Sequence, residues 1–186
     1  MRSMVIKGAL WMANHLMELG HYHVSVDATC GNGNDTLKLA KRSELVYACD
    51  IQSEAIQNAQ KKTRAYDHVR YFCISHEELA ELIPEKIDLV VFNCGYLPGS
   101  DKRIMTDESS VIQALERFIP KLSSQGRIIL VTYPGTERGL KEDRSIEGFT
   151  SQLSQELVDV FTFQHKNGRN MPAKLYIIQN NARITR

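Results

Sequence analysis

The sequence predicts an α/β fold: a seven-stranded, mostly parallel sheet with an antiparallel last strand and helices on both faces. Three observations carry this expectation. Short runs rich in Val, Ile, Tyr and Phe alternate five times with segments of helical periodicity, the pattern of a parallel sheet. The run "KIDLVVFN" (86–93) is apolar without alternation, as burial on both faces requires. The last two runs, "LVDVFTFQ" (157–164) and "KLYIIQN" (174–180), are joined by "HKNGRNMPA", which has no helical pattern, so the final strand must run antiparallel.

Taken in order, residues 4–19 place Ile6, Leu10, Ala13 and Met17 on one helical face. "HVSVDAT" (23–29) is the first strand, followed by a glycine-containing turn and a helix over 34–42. "ELVYACD" (44–50) is the second strand, and 53–64 a helix with Ala55, Ile56 and Ala59 on one face. "VRYFCI" (69–74) is the third, after which Ser75 and Glu78 match a capping box opening a short helix. Beyond the fourth strand, Val111, Ile112, Leu115, Ile119 and Leu122 mark a long helix, bent near Pro120. "RIILVTY" (127–133) is the fifth strand, and Ile146, Phe149, Leu153 and Leu157 lie on a further helix.

At 186 residues, without repeats or a linker, the chain is expected to form one domain over 1–186. Its 42% hydrophobic and 24% charged content is ordinary for a soluble protein. No run approaches the roughly 18 apolar residues of a membrane helix. The N-terminus has a basic start but is amphipathic and lacks a small-residue cleavage signature, so a cytoplasmic location is expected. A formal charge of +1 announces no overall basic field, although local clusters occur at 61–64, 101–103, 165–169 and the C-terminus. Cys30, Cys49, Cys73 and Cys94 form no CxxC pair and read as buried free thiols. His21 and His23 lack companion ligands, so no metal is expected.

The chemistry concentrates at two strand ends. "VDATCGNGNDT" places Asp27 at the end of strand one, with Gly31 and Gly33 in the turn and a helix N-terminus facing any ligand there. Asp50, at the tip of strand two, suits the two hydroxyls of a ribose. A dinucleotide fingerprint wants a third Gly or Ala at position 36, where the residue is Thr36. Two glycines suffice for a nucleoside carrying a sulfonium and an amino-acid tail, whose cationic amine Asp27 could meet directly or through water. Ser75 and His76, after strand three, are candidates for the adenine side, with capping by Ser75 as the competing explanation.

The second strand end is "VVFNCGYLPGSDK" (90–102). In a doubly wound sheet, ligands lie beyond the carboxyl ends of the strands near the switch in strand order, and Asn93 to Gly99 leave strand four there. Methyl transfer from a sulfonium needs an aligned nucleophile stripped of water. The amide oxygen of Asn93 could accept the N–H bonds of an amine, and Tyr96 could stack on a planar base. Pro98 restricts the loop that carries them.

Seven strands with an antiparallel last strand are the architecture of Rossmann-like class I methyltransferases using S-adenosylmethionine. "VDATCGNGNDT", "NCGYLPGSDK", "TYPG" and "NGRNMPAKLYII" together resemble the small bacterial class I enzymes long labelled rRNA methylases, over nearly the whole chain. That group is associated with tRNA: it methylates the exocyclic amine of 5-aminomethyl-2-thiouridine at wobble position 34. The resemblance implies S-adenosylmethionine as donor, S-adenosylhomocysteine as product, no metal, a tRNA anticodon stem-loop as partner, and a homodimer. It implies that Asp27, Gly31, Gly33 and Asp50 bind the donor; Thr29, Asn32, Asn34, Asp35, Thr36, Ile51 and Asn93 are further candidates on that side, with Ser75 and His76, which stand where such enzymes commonly have Asp. Asn93 and Tyr96 take the catalytic positions, with Gly95, Leu97, Pro98 and Tyr133 bordering the amine. Lys102, Arg103, His165, Lys166 and Arg169 are candidates for RNA contacts. Three positions depart from the family pattern: Asn34 where His is usual, Cys94 where Leu is, and Ser100 where Gly is.

Alternatives stay open at this point. "NCGY" is similar to the Asn-Pro-Pro-Tyr motif of DNA and protein amino-methyltransferases, although the middle prolines are absent. Another RNA such as rRNA could be the acceptor. A nicotinamide-linked oxidoreductase is argued against by Thr36. A non-catalytic nucleoside-binding module would keep Gly31, Gly33 and Asp50 without needing Asn93 and Tyr96.

Overall fold

The computed structural model describes residues 5–95 and 108–181. Along the chain these form α1 (Ala9–Leu19), β1 (Tyr22–Asp27), α2 (Asn34–Ala40), β2 (Ser43–Cys49), α3 (Ser53–Lys62), β3 (Val69–Phe72) and α4 (His76–Leu82). They continue with β4 (Ile87–Asn93), α5 (Glu108–Phe118), a 3-10 turn (Ile119–Lys121), β5 (Leu122–Thr132), α6 (Glu137–Ser151), β6 (Val158–Gln164) and β7 (Lys174–Asn180).

The seven strands form one sheet in the order β3-β2-β1-β4-β5-β7-β6. β1 to β5 pair in parallel, and β7 inserts antiparallel between β5 and β6. The expected architecture is therefore the one observed. The chain winds outward from β1 to β3, then crosses back to lay β4 against β1. Two parallel neighbours whose connections leave in opposite directions open a crevice at their carboxyl ends.

The central strands explain their own composition. Leu89, Val90, Val91 and Phe92 of β4 are all buried, because α1, α2 and α3 cover one face of the sheet and α4, α5 and α6 the other. Ala55, Ile56 and Ala59 of α3 are buried on one face, as their spacing predicts.

Four sequence expectations are corrected. α1 starts at Ala9, so Ile6 precedes it; Ile6 and Leu10 are exposed, and the buried stripe is Ala9, Ala13 and Met17. Small residues let this helix approach β5 and β7 closely, so they face the sheet rather than the larger apolar side chains. Leu122 opens β5 and does not close a helix; Pro120, lacking an N–H, sits in the 3-10 turn that separates the two. α6 stops at Ser151, so Leu153 packs on the core from the following loop, and Leu157 is exposed. Cys30, Cys49 and Cys94 are buried free thiols, but Cys73 is exposed because β3 ends at Phe72. Among the described residues no helix is long and apolar enough to cross a membrane.

Candidate active site

The loop after β1 is built around two left-handed glycines, Gly31 at φ 47° and Gly33 at φ 73°. A Cβ on Gly33 would lie 2.6 Å from the Cα of Ala59, so only glycine lets the start of α2 rest on α3. The Gly33 N–H donates to the Cys30 carbonyl at 2.7 Å, closing the turn. Asn32 and Asn34 turn outward to α3, where they accept from Asn58 and Lys62.

Asp27 is buried beneath this loop. It accepts from the Thr36 hydroxyl at 2.6 Å and the Thr29 N–H at 3.3 Å. Burial pushes its carboxyl up to about 7, with the nearby Asp35 charge adding to the shift. At 1% exposure, Asp27 supports the loop from below, which favours the indirect route to a cationic ligand over the direct one. Asp50 stands at the rim, where Oδ2 accepts the Gly31 N–H at 3.1 Å and Oδ1 the Gln52 N–H at 2.9 Å. Each carboxylate oxygen has a second lone-pair direction left for a ligand.

On the side of β2 and β3, Ile51 is exposed beside Asp50. The Ser75 N–H and hydroxyl both donate to Glu78, so the expected helix cap is formed. His76 is buried, with Nε2 3.0 Å from the Ser110 hydroxyl and its ring edge-on to Phe92. Burial lowers its pKa and keeps the ring neutral. These contacts are helix-packing contacts, which spacing alone could not separate from a ligand contact.

Asn93 closes the crevice from β4. Its backbone N–H donates to the Thr29 hydroxyl at 2.8 Å, tying the β4 end to the glycine loop. Its amide nitrogen donates to Asp35 Oδ2 at 3.2 Å, and its amide oxygen accepts the Tyr133 hydroxyl at 2.6 Å. Asp35 also accepts from Lys38 at 2.7 Å, and Lys38 donates onward to Asn14 of α1. Lys38 and Asn14 escaped the sequence reading. The i,i+3 spacing of Asp35 and Lys38 was the only signal available.

Tyr133, which follows β5, lies with its ring against Gly95, where a Cβ would sit 3.4 Å away. Burial first, and then the Asp35 charge, push its phenol up to about 12, so it remains a protonated donor. Lys174 of β7 pairs with Thr132 of β5, which brings the β6–β7 loop to the same end of the sheet. That loop touches the turn after β5, where a Cβ on Gly135 would sit 3.2 Å from the Asn170 carbonyl. His165, Lys166 and Arg169 are exposed on it. Tyr96, Leu97, Pro98, Lys102 and Arg103 lie outside the described residues. Among the described residues no cluster of His, Cys, Asp or Glu could hold a metal ion.

The arrangement joins an acidic strand tip, a backbone-exposing glycine loop and an oriented amide at one strand-order switch. Comparison with known proteins gives consistent results. Residues 46–179 match the family described as "Putative rRNA methylase". The chain is 36% identical over 144 residues to a chloroplastic tRNA (mnm(5)s(2)U34)-methyltransferase of Arabidopsis thaliana, covering 69% of this chain. It spans about half of that relative's length, 53%. Two similar crystal structures are those described as a "putative rRNA-methylase" from Clostridium thermocellum and "a putative methyltransferase" from Streptococcus mutans in complex with SAH. The first has a TM-score of 0.91 at 32% identity, covering 95% of this chain and 100% of the other. The second has a TM-score of 0.87 at 27% identity, covering 95% and 99%.

Proposed function

Because this chain belongs to the family described as "Putative rRNA methylase", we propose that it is an S-adenosylmethionine-dependent tRNA methyltransferase. The acceptor in this reading is the exocyclic amine of 5-aminomethyl-2-thiouridine at wobble position 34, and the product is 5-methylaminomethyl-2-thiouridine. The observation that carries the proposal is the Asn93 amide, held beside the glycine loop and Asp50 at the strand-order switch. The Arabidopsis relative named for this modification supports the choice of acceptor.

The residues present fit the donor. The glycine loop exposes backbone, Asp50 keeps lone pairs for ribose hydroxyls, and the carboxylates of Asp35 and Asp50 favour a sulfonium and an ammonium group. When bound, the donor supplies an electrophilic methyl group; the amine nitrogen forms the new N–C bond as the S–C bond breaks. Asn93 would hold an amine N–H through its oxygen, so that the nitrogen lone pair faces the methyl carbon. The ammonium form must lose a proton before attack, and solvent at the open rim can accept it. His165, Lys166 and Arg169 would meet phosphates of the anticodon stem-loop and fix its register.

The test is incubation with isotope-labelled S-adenosylmethionine and tRNA from a strain lacking this protein, followed by nucleoside mass spectrometry. The expected outcome is labelled methyl in a wobble uridine. Label in rRNA alone would move the assignment to rRNA, and no transfer to any RNA would overturn it.

A further inference from the structure

We infer that Tyr133 is a positioning residue that works with Asp35 to lock the Asn93 amide in one orientation, oxygen toward the acceptor. This rests on the reading of Asn93 as the group that holds the acceptor amine. A side-chain amide can be turned by 180° at little steric cost, exchanging a donor for an acceptor. At this site the two ends of the amide face different chemistry. The Asp35 carboxylate, held by Lys38 on its other oxygen, can only accept, and therefore takes the Nδ2 side at 3.2 Å. The Tyr133 hydroxyl donates to Oδ1 at 2.6 Å. A flipped amide would set its oxygen against the Asp35 carboxylate, and would turn its NH2 to the Tyr133 hydroxyl, which would have to become the acceptor and give up its O–H bond to Asn93. The Asp35 contact would become repulsive and the Tyr133 O–H would lose its acceptor, so the flip is opposed from two sides, more strongly from Asp35.

The lock has a consequence for specificity. A carbonyl oxygen has two lone pairs, and Tyr133 uses one, leaving the other for the acceptor. A site that presents only an acceptor at this position favours a nucleophile with an N–H to donate, such as a primary amine, and gives no hydrogen bond to a group that has none. Asp35 lies in the first turn of α2 and Tyr133 follows β5, so the amide registers both the donor side after β1 and the acceptor side after β5. The phenol that stays protonated over the physiological range keeps this arrangement intact.

The experiment has two arms. In free 15N-labelled protein, the Asn93 side-chain NH2 signal is assigned by its loss in Asn93→Ala. Tyr133→Phe, which keeps the ring against Gly95, should shift that signal by more than its linewidth, and Asp35→Asn should shift it as well. A signal unmoved by Tyr133→Phe would overturn the inference whatever the substrate. In the kinetic arm, Tyr133→Phe should lower kcat about tenfold, the worth of one neutral hydrogen bond. KM for tRNA and the donor affinity should stay within about twofold, since neither ground-state contact is removed. The double variant Asn93→Ala/Tyr133→Phe should be no slower than Asn93→Ala alone, because Tyr133 acts through the amide. Multiplying losses would mean that Tyr133 acts independently, and the inference would fail. Wild-type protein that methylates no RNA would instead remove the proposed function, with the spectroscopic arm still deciding the lock.

Discussion

The Asp50 carboxylate accepts the Gly31 N–H at 3.1 Å, tying the tip of β2 to the loop after β1. One acidic side chain thereby shapes the loop and stands at the rim where a ribose would lie. Asp50→Ala should weaken donor binding by about 10- to 100-fold, since a charge-assisted contact and a loop anchor are lost together. Isothermal titration with S-adenosylhomocysteine measures this. An unchanged affinity would remove Asp50 from the donor site.

Gly33 has a left-handed backbone, and a Cβ there would meet the Ala59 backbone at 2.6 Å. Gly33→Ala should therefore destabilise the fold by roughly 1–3 kcal/mol through strain and overpacking. Gly148, inside α6, has nothing within 4 Å of its would-be Cβ. Gly148→Ala should stabilise by about 0.5–1 kcal/mol. Urea unfolding of both variants gives opposite signs if the packing is as described.

The buried carboxyl of Asp27 has its pKa raised from 3.8 to about 7, by burial first and by the Asp35 charge next. The folded state thus holds a proton that the unfolded chain releases near pH 4. Its contribution to stability is present below that pH and is lost as pH rises through about 7. Asp27→Asn should consequently raise the melting temperature relative to wild type more at pH 8 than at pH 5. A gain that is equal at both values, or larger at pH 5, would contradict a neutral buried acid.

Asn93→Ala should reduce turnover on tRNA by about 100-fold while leaving donor affinity nearly unchanged, as expected for a group that acts in the transition state. Single-turnover rates and donor titration on the same preparation separate the two effects. Intact turnover would show that the amide does not hold the acceptor.

Much of the site was legible because it sits at strand ends. Gly31, Gly33 and Asp50 announced themselves through spacing alone, since residue type and strand position together restrict what those backbone positions can do. His76 was less legible. A histidine after β3 reads as a ligand contact or as core, and only the structure shows that its ring meets the Ser110 hydroxyl and the Phe92 ring. Asn14 was missed because its partner Lys38, which also binds Asp35, lies on another helix 24 positions away, a distance that no local pattern spans. Leu10 misled because periodicity reports an apolar face without weighing how closely that face can approach a sheet.

What the sequence by itself determined is the alternation of strands and helices, the burial of β4 and the glycine loop beside an acidic strand tip. Each follows from local propensity or from a periodicity of a few residues. The tertiary structure alone decided which way the Asn93 amide points. That orientation depends on Asp35 from the first turn of α2 and Tyr133 from the loop after β5, which are separated by 98 positions and meet only because β4 lies between β1 and β5. Hydrogen-bond direction is a property of neighbours in space, and the strand order sets those neighbours.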